Sequence, residues 1–372
     1  MQTIAQSWLV YRLTHSELLL GTALFCSQIA VFALGPFGGL AADRFSRHKL
    51  VITTQTLMMF QAFALAWLTL SGRVRVWEIL ALAVVLGAIN AFDIPGRQSL
   101  LIQMTSKEDL LSAISLNSAV FNTARGVGPG IAGVLVAALG EGFCFFLNGV
   151  SFLAVIGGLL AMKLAPFERP APASPWQRLI DGFRYVWDHT AVRRILAALS
   201  AATLSGAPIL VLAPVFSDQI FHRGSRGLGF LMAAMGVGAV IGTLSLARRT
   251  QVAGLPKVIA YSAFLLGGAN LAFAVSPNFY TSMAFTMLIG YGLMRQLAAA
   301  NTTIQTMIPD EYRGRVMSLY SMCVVGIAPF GSLAAGAIAG RFGARFTMAL
   351  GGVVSLAAGS LFGWALRRGR LV

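Results

Sequence analysis

Long apolar runs separated by short polar segments form the main pattern of this chain. A helix that crosses a hydrocarbon core roughly 30 Å thick needs about 20 mostly apolar residues, and such a window selects a regular series of runs. The eleven predicted spans are 18–41, 50–70, 77–94, 111–139, 143–162, 195–216, 228–247, 258–275, 280–305, 316–339 and 346–366. Residues 1–13 are apolar in their second half but too short to cross alone. The pattern predicts an all-α polytopic membrane protein.

The longest polar stretch divides these spans into two sets. Residues 163–194 begin with a Pro-rich segment, 165–175, and continue into an amphipathic segment around 176–187. We therefore expect an N-terminal helical bundle over 1–162, a cytoplasmic linker over 163–194 and a C-terminal helical bundle over 195–372.

A weak internal repeat relates the two sets of spans. Gly133 pairs with Gly336, and Gly140 pairs with Gly343, at an offset of about 203 residues. Chance agreement in a chain with 40 glycines is the alternative, but the span count and the linker position both agree with a repeat. Two six-helix bundles related by pseudo-symmetry are a common transporter architecture, with the substrate held between them near the midplane.

The same repeat bears on the first span. Near the start the offset widens, so that Gly21 pairs with Gly229 and Met1 corresponds to Ile209, midway through the seventh span. The first span is then truncated, which leaves eleven full spans plus a half. We expect that this chain begins about 15 to 30 residues after the point where a complete first span would begin. A genuine half-span that lies in the interface is the alternative.

Composition and charge agree with a membrane location. Apolar residues make up 57% of the chain and charged residues 11%, whereas a soluble domain carries about 25% charged residues. A net charge of +15 would suggest nucleic acid in a soluble protein. Here the basic residues cluster at the ends of apolar runs, so we expect a lipid bilayer and no nucleic acid as partner. Most of them fall in one set of alternate loops, which predicts a multi-pass protein of the cell inner membrane with a cytoplasmic C-terminus.

The loop after the second span carries the sequence GLAADRFSRHK, residues 39–49. A glycine before the turn permits close helix approach, the acid can cap a helix, and the basic residues hold the loop inside. The segment resembles the loop motif of the major facilitator superfamily, G-x-x-x-D-R-x-G-R-R/K. Ser46 replaces its second glycine and His48 replaces one basic residue. The predicted loop residues are Gly39, Asp43, Arg44, Arg47 and Lys49.

The fifth span contains the sequence RGVGPGIAG, residues 125–133. It resembles the glycine-proline motif of drug:proton antiporters of the same superfamily. Because small residues permit close packing and proline permits a bend, the segment can act as a flexing seam, with a packing role as the alternative. The motif residues are Gly126, Gly128, Pro129 and Gly133.

Three further segments, 6–11, 90–98 and 304–316, resemble the subgroup that includes the enterobactin exporter and related multidrug exporters. This resemblance implies the major facilitator fold and a secondary active transporter rather than an enzyme. Such a protein exports drugs, siderophore-like compounds or other metabolites by alternating access. It implies exchange for protons, a monomer, and neither cofactor nor metal.

Two arginines lie inside predicted spans, Arg125 and Arg295. An ionisable side chain at mid-bilayer costs at least about 2.5 to 3.5 kcal/mol, so each should face a cavity or a partner. Two opposed cations, one per bundle, could hold an anionic or carbonyl-rich compound, whereas hydrogen bonding to carbonyls across a helix interface is the alternative. The predicted cavity residues are Gln28, Asn90, Ser118, Asn122, Arg125, Tyr291, Arg295, Asn301 and Thr302.

Proton coupling needs a titratable group in the pathway. Asp93 precedes Arg97 by four residues, which predicts an ion pair within one helix. We predict that Asp93 and Arg97 join Asp43 and Arg47 in a gate network at the cytoplasmic mouth. Glu141 and Asp218 are predicted to be solvated near the outer face, and the missing half of the first span could hold the acid that matters.

Other functions remain open at the level of sequence. A permease subunit of an ATP-driven pump would need a separate nucleotide-binding partner, since no G-x-x-x-x-G-K-[ST] loop occurs. An importer or a lipid flippase could share the same fold, because fold does not settle function. A truncated, non-transporting relic is the alternative of another class.

Overall fold

The computed structural model describes residues 1–105, 109–162, 183–247 and 254–368, and these residues are almost entirely helical, with no strand among them. The first six helices are α1 Gln2–Thr14, α2 Glu17–Arg44, α3 Arg47–Leu70, α4 Val76–Met104, α5 Leu110–Leu139 and α6 Glu141–Ala161. The others are α7 Thr190–Val215, α8 Gly224–Ala247, α9 Leu255–Val275, α10 Phe279–Met307, α11 Asp310–Ser321, α12 Ala328–Phe342 and α13 Ala344–Arg367. A π-helical segment, Phe216–Ile220, extends α7, and a second, Met322–Gly326, connects α11 to α12.

Each predicted span coincides with a helix, but the predicted boundaries are sometimes wrong. The predicted span 77–94 ends before Pro95, whereas α4 continues through Pro95 to Met104. A proline inside a helix removes only one backbone donor, and the polar residues that follow it do not end a helix by themselves. The apolar window therefore located the first part of α4 and ended it ten residues too early.

The number of helices does not by itself give the number of membrane crossings. Within the described chain, nine helical stretches are long and apolar enough to cross a membrane. The predicted spans 111–139 and 280–305 are helical but are not among the nine, and in the first of them Val127–Leu139 is a shorter apolar helix. The count of eleven full spans therefore stays a prediction.

Helices α1–α6, called here the first half, and α7–α13, called the second half, pack in the same pattern. In the first half α2 packs on α4, and α3 packs on α4 and α6; in the second half α8 packs on α10, and α9 packs on α10 and α13. Glycines bring these backbones together, since a Cβ on Gly38 would overlap the backbone of Ala91 and a Cβ on Gly238 would overlap that of Met287. Small residues at helix crossings are the usual basis of packing in membranes. The two halves are thus related by pseudo-symmetry.

The halves meet at two glycine crossings that mirror each other. Gly133 of α5 lies against Gly229 of α8, and Gly336 of α12 lies against Gly21 of α2. These are the glycines that the sequence repeat relates. The end of the molecule that contains them is called here the crossing end. The opposite end, which contains the loop after α2, is called the motif end.

The backbone shows the same repeat just beyond the crossings. Gly140, between α5 and α6, has φ 82° and ψ 169°, and Gly343, between α12 and α13, has φ 88° and ψ 159°. Glycine adopts positive φ at no steric cost, whereas other residues rarely do. Two equivalent turns at equivalent places are what a duplicated half predicts.

Helix α1 is short, and a chain of buried amides fixes it to the first half. Gln2 Nε2 donates to Gln61 Oε1 of α3 at 2.8 Å, and Asn148 Nδ2 of α6 donates to Gln2 Oε1 at 2.8 Å. Gln61 Nε2 in turn donates to the Leu82 carbonyl of α4 at 3.2 Å. In a bilayer these groups have no water to bond, so the amides link α1, α3, α4 and α6.

We expect Gln61→Leu to lower the stability of the protein by about 1 to 2 kcal/mol, because it leaves the Gln2 donor unpaired in an apolar interior. Thermal unfolding in detergent measures the change. Gln305→Leu is the matched control, since Gln305 is exposed and bonds only within its own helix, to Asn301. Equal stability of the two variants would contradict an anchoring role for the amide chain.

Candidate transport pathway

Helix α10 carries polar side chains on a partly exposed face. Tyr291, Arg295 and Thr302 are separated by four and seven residues, which places them on one side of the helix. The opposite side is buried and includes Ile289, Leu293, Gln296 and Ala300. Because polar side chains facing lipid are costly, this face is suited to a water-filled pathway.

Arg295 is the cation on this face. Its Cζ atom lies 5.5 Å from the centre of the Tyr291 ring, a cation–π distance. Its Nε atom is buried and has no hydrogen-bond partner in the described part of the chain. The Arg295 Nε donor is therefore unused among the described residues.

Two of the amides predicted to line the pathway make a hydrogen bond within their own helix. Asn301 Oδ1 accepts from Gln305 Nε2 at 2.5 Å, and Asn90 Nδ2 of α4 donates to the Leu86 carbonyl at 3.0 Å. Gln28 lies on α2 and, like the other two, is partly exposed. Neither of the two hydrogen bonds crosses from one helix to another.

Several predicted residues lie outside what the structure describes. The backbone of α5 is helical at the predicted cavity residues, but the side chains at those positions are not described. The side chain of Asp43 in the loop motif is not described either. The residues concerned are Ser118, Asn122, Arg125, Gly126 and Asp43. The opposed pair of cations therefore stays a prediction.

The glycine-proline segment of α5 divides into two parts. Gly133 lies at the crossing, and the Pro129 carbonyl oxygen would be 3.2 Å from a Cβ built on Gly229. Gly128 has open space beside it, since a Cβ added there would meet no atom within 4 Å. Among the described residues of the motif, the part from Pro129 to Gly133 brings the two halves together.

At the motif end, Asp93 is fully buried; two side chains hydrogen-bond it and a third pairs with its charge. Thr54 Oγ1 donates to Asp93 Oδ1 at 2.8 Å, and Gln55 Nε2 donates to the same atom at 2.9 Å. Arg97 Nε lies 2.6 Å from Asp93 Oδ2, so the ion pair expected from the four-residue spacing is present. Thr54 and Gln55 come from α3 and were not found from the sequence. The cluster fixes a negative charge between α3 and α4.

Of the loop residues near Asp93, one bonds α4 and the others are exposed or have open space beside them. Arg47 begins α3, and its Nη1 atom donates to the Ser99 carbonyl of α4 at 3.4 Å. Arg44 and Lys49 are exposed, and Gly39 has open space where a side chain would lie. Arg47 thus reaches the same helix as Asp93.

Two acids at the crossing end are not simply solvated, which corrects the expectation from sequence. Glu141 is only 7% exposed, and its carboxylate accepts from Arg12 Nε at 2.7 Å and from Arg12 Nη2 at 3.2 Å. Asp218 Oδ2 accepts from the Tyr11 hydroxyl at 3.0 Å. Both partners lie on α1, and a contact between residues so far apart in sequence leaves no local pattern to find.

Comparison with known proteins gives a consistent picture. The chain matches the transmembrane secretion effector family over residues 1–368. It is 26% identical to the Staphyloferrin A transporter of Staphylococcus aureus (strain NCTC 8325 / PS 47), over 99% of this chain and 92% of that protein. It is 24% identical to the Enterobactin exporter EntS of Shigella boydii serotype 4 (strain Sb227), over 84% of this chain and 74% of that protein.

A solved structure shares the fold. A bacterial homolog of the human lysosomal transporter Spinster, in an inward-facing and occupied conformation, superposes with a TM-score of 0.76. It is 14% identical, and the match covers 98% of this chain and 92% of that one. The likeness at this identity concerns the fold alone.

Proposed function

The chain belongs to the transmembrane secretion effector family of the major facilitator superfamily, and from that premise we propose that it exports anionic or carbonyl-rich small molecules in exchange for protons. The observation that carries the choice of cargo is Arg295, a cation within α10 whose Nε atom has no partner in the described chain. Siderophore-like compounds fit this chemistry, and the names of the two relatives support it.

Alternating access accounts for the uneven contact between the halves. The extensive contacts between them, among the described residues, are α5 with α8 and α2 with α12, and both are glycine crossings at the crossing end. Within that part of the chain, α3, α4 and α6 make no extensive contact with the second half. We infer a state closed at the crossing end and open at the motif end.

The orientation of the molecule follows from its basic residues. The loop of the motif end, the linker and the C-terminal segment are all rich in Lys and Arg, and such loops stay in the cytoplasm. The motif end is then cytoplasmic, the crossing end faces away from the cytoplasm of a cell inner membrane, and the protein acts as a monomer. Cargo enters from the cytoplasm in the state inferred above.

Asp93 is the proposed proton-sensitive group of the cytoplasmic gate. Its carboxylate is buried and is bonded by Thr54, Gln55 and Arg97. Protonation would remove the charge that attracts Arg97 and would weaken these bonds, since hydrogen bonds to a charged group are the stronger kind. Asp43, Arg47 and Arg97 complete the proposed gate.

We expect Arg295→Ala to reduce export of an anionic catecholate or hydroxycarboxylate siderophore roughly 10- to 100-fold, because a charge-assisted bond contributes about 1.5 to 3 kcal/mol. Efflux of radiolabelled siderophore from cells that lack their own exporters measures the change. Arg295→Lys should retain part of the activity. Arg73→Ala is the control, since Arg73 is exposed in the turn before α4.

Three results would contradict the proposal. Normal export by Arg295→Ala would remove Arg295 from the cargo site. Uptake in place of efflux would favour an importer. No movement of any siderophore or drug by the wild-type protein would favour a flippase or a relic.

A further inference from the structure

One side-chain contact joins the two halves through groups that the proposed pathway does not use. Tyr11, at the end of α1 in the first half, is 1% exposed, and its hydroxyl donates to Asp218 of the second half at 3.0 Å. The side chain of Gln219 also bonds the Tyr11 hydroxyl. The hydroxyl of a buried tyrosine in the first half thus bonds two consecutive residues of the second half.

The second half holds Asp218 in a defined place. Asp218 lies in the π-helical segment that extends α7, and π-helical turns occur often at functional sites. Ser217 Oγ donates to the Gly224 carbonyl at 2.6 Å, and the Arg223 backbone N–H donates to the Ser217 carbonyl at 2.7 Å. Phe216 of the same segment is 1% exposed and packs on Phe273, with ring centres 4.7 Å apart. The segment is therefore tied to its own half by the two residues that precede the carboxylate.

The first half holds Tyr11 with similar firmness. The next residue, Arg12, forms the two bonds to Glu141 of α6. The Tyr11 ring packs on Trp8 and His15 of the same half, with centres 5.6 and 5.2 Å away. Since each partner is fixed to its own half, the halves cannot separate at the crossing end without breaking the bond from Tyr11 to Asp218.

We propose that Tyr11 and Asp218 form a latch that holds the crossing end closed while the motif end is open. The inference rests on the proposed alternating access, and it assigns to these two residues a role opposite to that of the gate at Asp93. The glycine crossings allow the halves to pack closely, and the latch sets the population of the state that is closed at the crossing end. Neither of the two ion pairs in the described chain includes Asp218, so its bond with Tyr11 can open without separating opposite charges.

The test measures the separation of the halves directly. Spin labels at Ser71 and Arg345, both exposed at the crossing end, report one distance distribution in lipid nanodiscs, in a background without Cys26, Cys144 and Cys323. Tyr11→Phe keeps the buried ring and removes only the hydroxyl. We expect it to raise the population of the longer distance about 10-fold, the effect of losing one charge-assisted bond. Asp218→Ala should do the same, and the double variant should add nothing further.

The control is a bond within one half that does not hold Tyr11. Glu78→Gln weakens the bond from the Arg75 backbone N–H to the Glu78 carboxylate at the start of α4 and should leave the distance distribution unchanged. The wild-type protein could populate both distances while Tyr11→Phe and Asp218→Ala leave the distance distribution unchanged. That result would refute the latch and leave alternating access standing. A single distance in the wild-type protein under every condition, with cargo and with a pH gradient, would overturn alternating access itself.

Discussion

Gly336→Val is expected to reduce transport at least 10-fold while the protein still folds and inserts, because overpacking at a tight crossing costs about 1 to 3 kcal/mol or more. A Cβ at position 336 would lie 2.5 Å from the Glu17 carbonyl oxygen and 3.0 Å from the Gly21 Cα atom of α2. Both contacts are with backbone atoms, which cannot relieve the overlap by changing rotamer as a side chain could. The two halves could then no longer close at the crossing end, and siderophore efflux from cells would measure the loss.

The chain contains a matched control for this substitution. Gly340 lies one helical turn further along α12, and a Cβ there would meet no atom within 4 Å. Gly340→Val should therefore transport at nearly the normal rate. Substitutions in α5 should show the same contrast, because Gly133 lies against Gly229 whereas Gly128 has open space beside it. Normal transport by Gly336→Val would show that closure at this crossing is not part of the cycle.

Asp93→Asn is expected to uncouple transport from protons. The substitution keeps the shape of the side chain but removes a buried charge that Thr54, Gln55 and Arg97 bond. The Arg97 side chain is 51% exposed, so the loss is that of charge-assisted bonds to Asp93, about 1.5 to 3 kcal/mol, which corresponds to roughly 10- to 100-fold in an equilibrium between open and closed gates. Cargo-dependent proton movement should fall to background even if some cargo still leaks through.

A partly exposed acid on the same helix provides the control. Glu78 bonds the backbone N–H of Arg75 at the start of α4 and takes no part in the cluster. Glu78→Gln should remain coupled. If Asp93→Asn remained as well coupled as the wild-type protein, the proton-sensitive group would have to be sought elsewhere in the chain.

Local patterns in the sequence predicted much of this fold. Apolar windows located the long helices because a bilayer requires long runs of apolar residues, and that requirement is visible residue by residue. The repeat identified the glycines of both crossings, since close packing leaves few alternatives to glycine at such positions. The spacing of Asp93 and Arg97 predicted their ion pair, because residues four apart lie on the same face of a helix.

Contacts between distant segments could not be predicted in this way. Thr54 and Gln55 bond Asp93 only because α3 packs on α4, and Tyr11 reaches Asp218 only because the two halves meet. Glu141 looked solvated because it begins a helix at a short turn, and its burial depends on where Arg12 of α1 lies. Those pairs depend on tertiary packing, for which one sequence carries no local signal.

Cargo-dependent proton flux in inverted membrane vesicles tests the central claim most directly. A pH-sensitive dye reports the internal pH of energised vesicles that contain the wild-type protein, the Asp93→Asn variant or no transporter. We predict that an anionic siderophore added outside releases protons from wild-type vesicles and from neither of the others. Uptake of siderophore by wild-type vesicles with no accompanying proton release would contradict proton-coupled export.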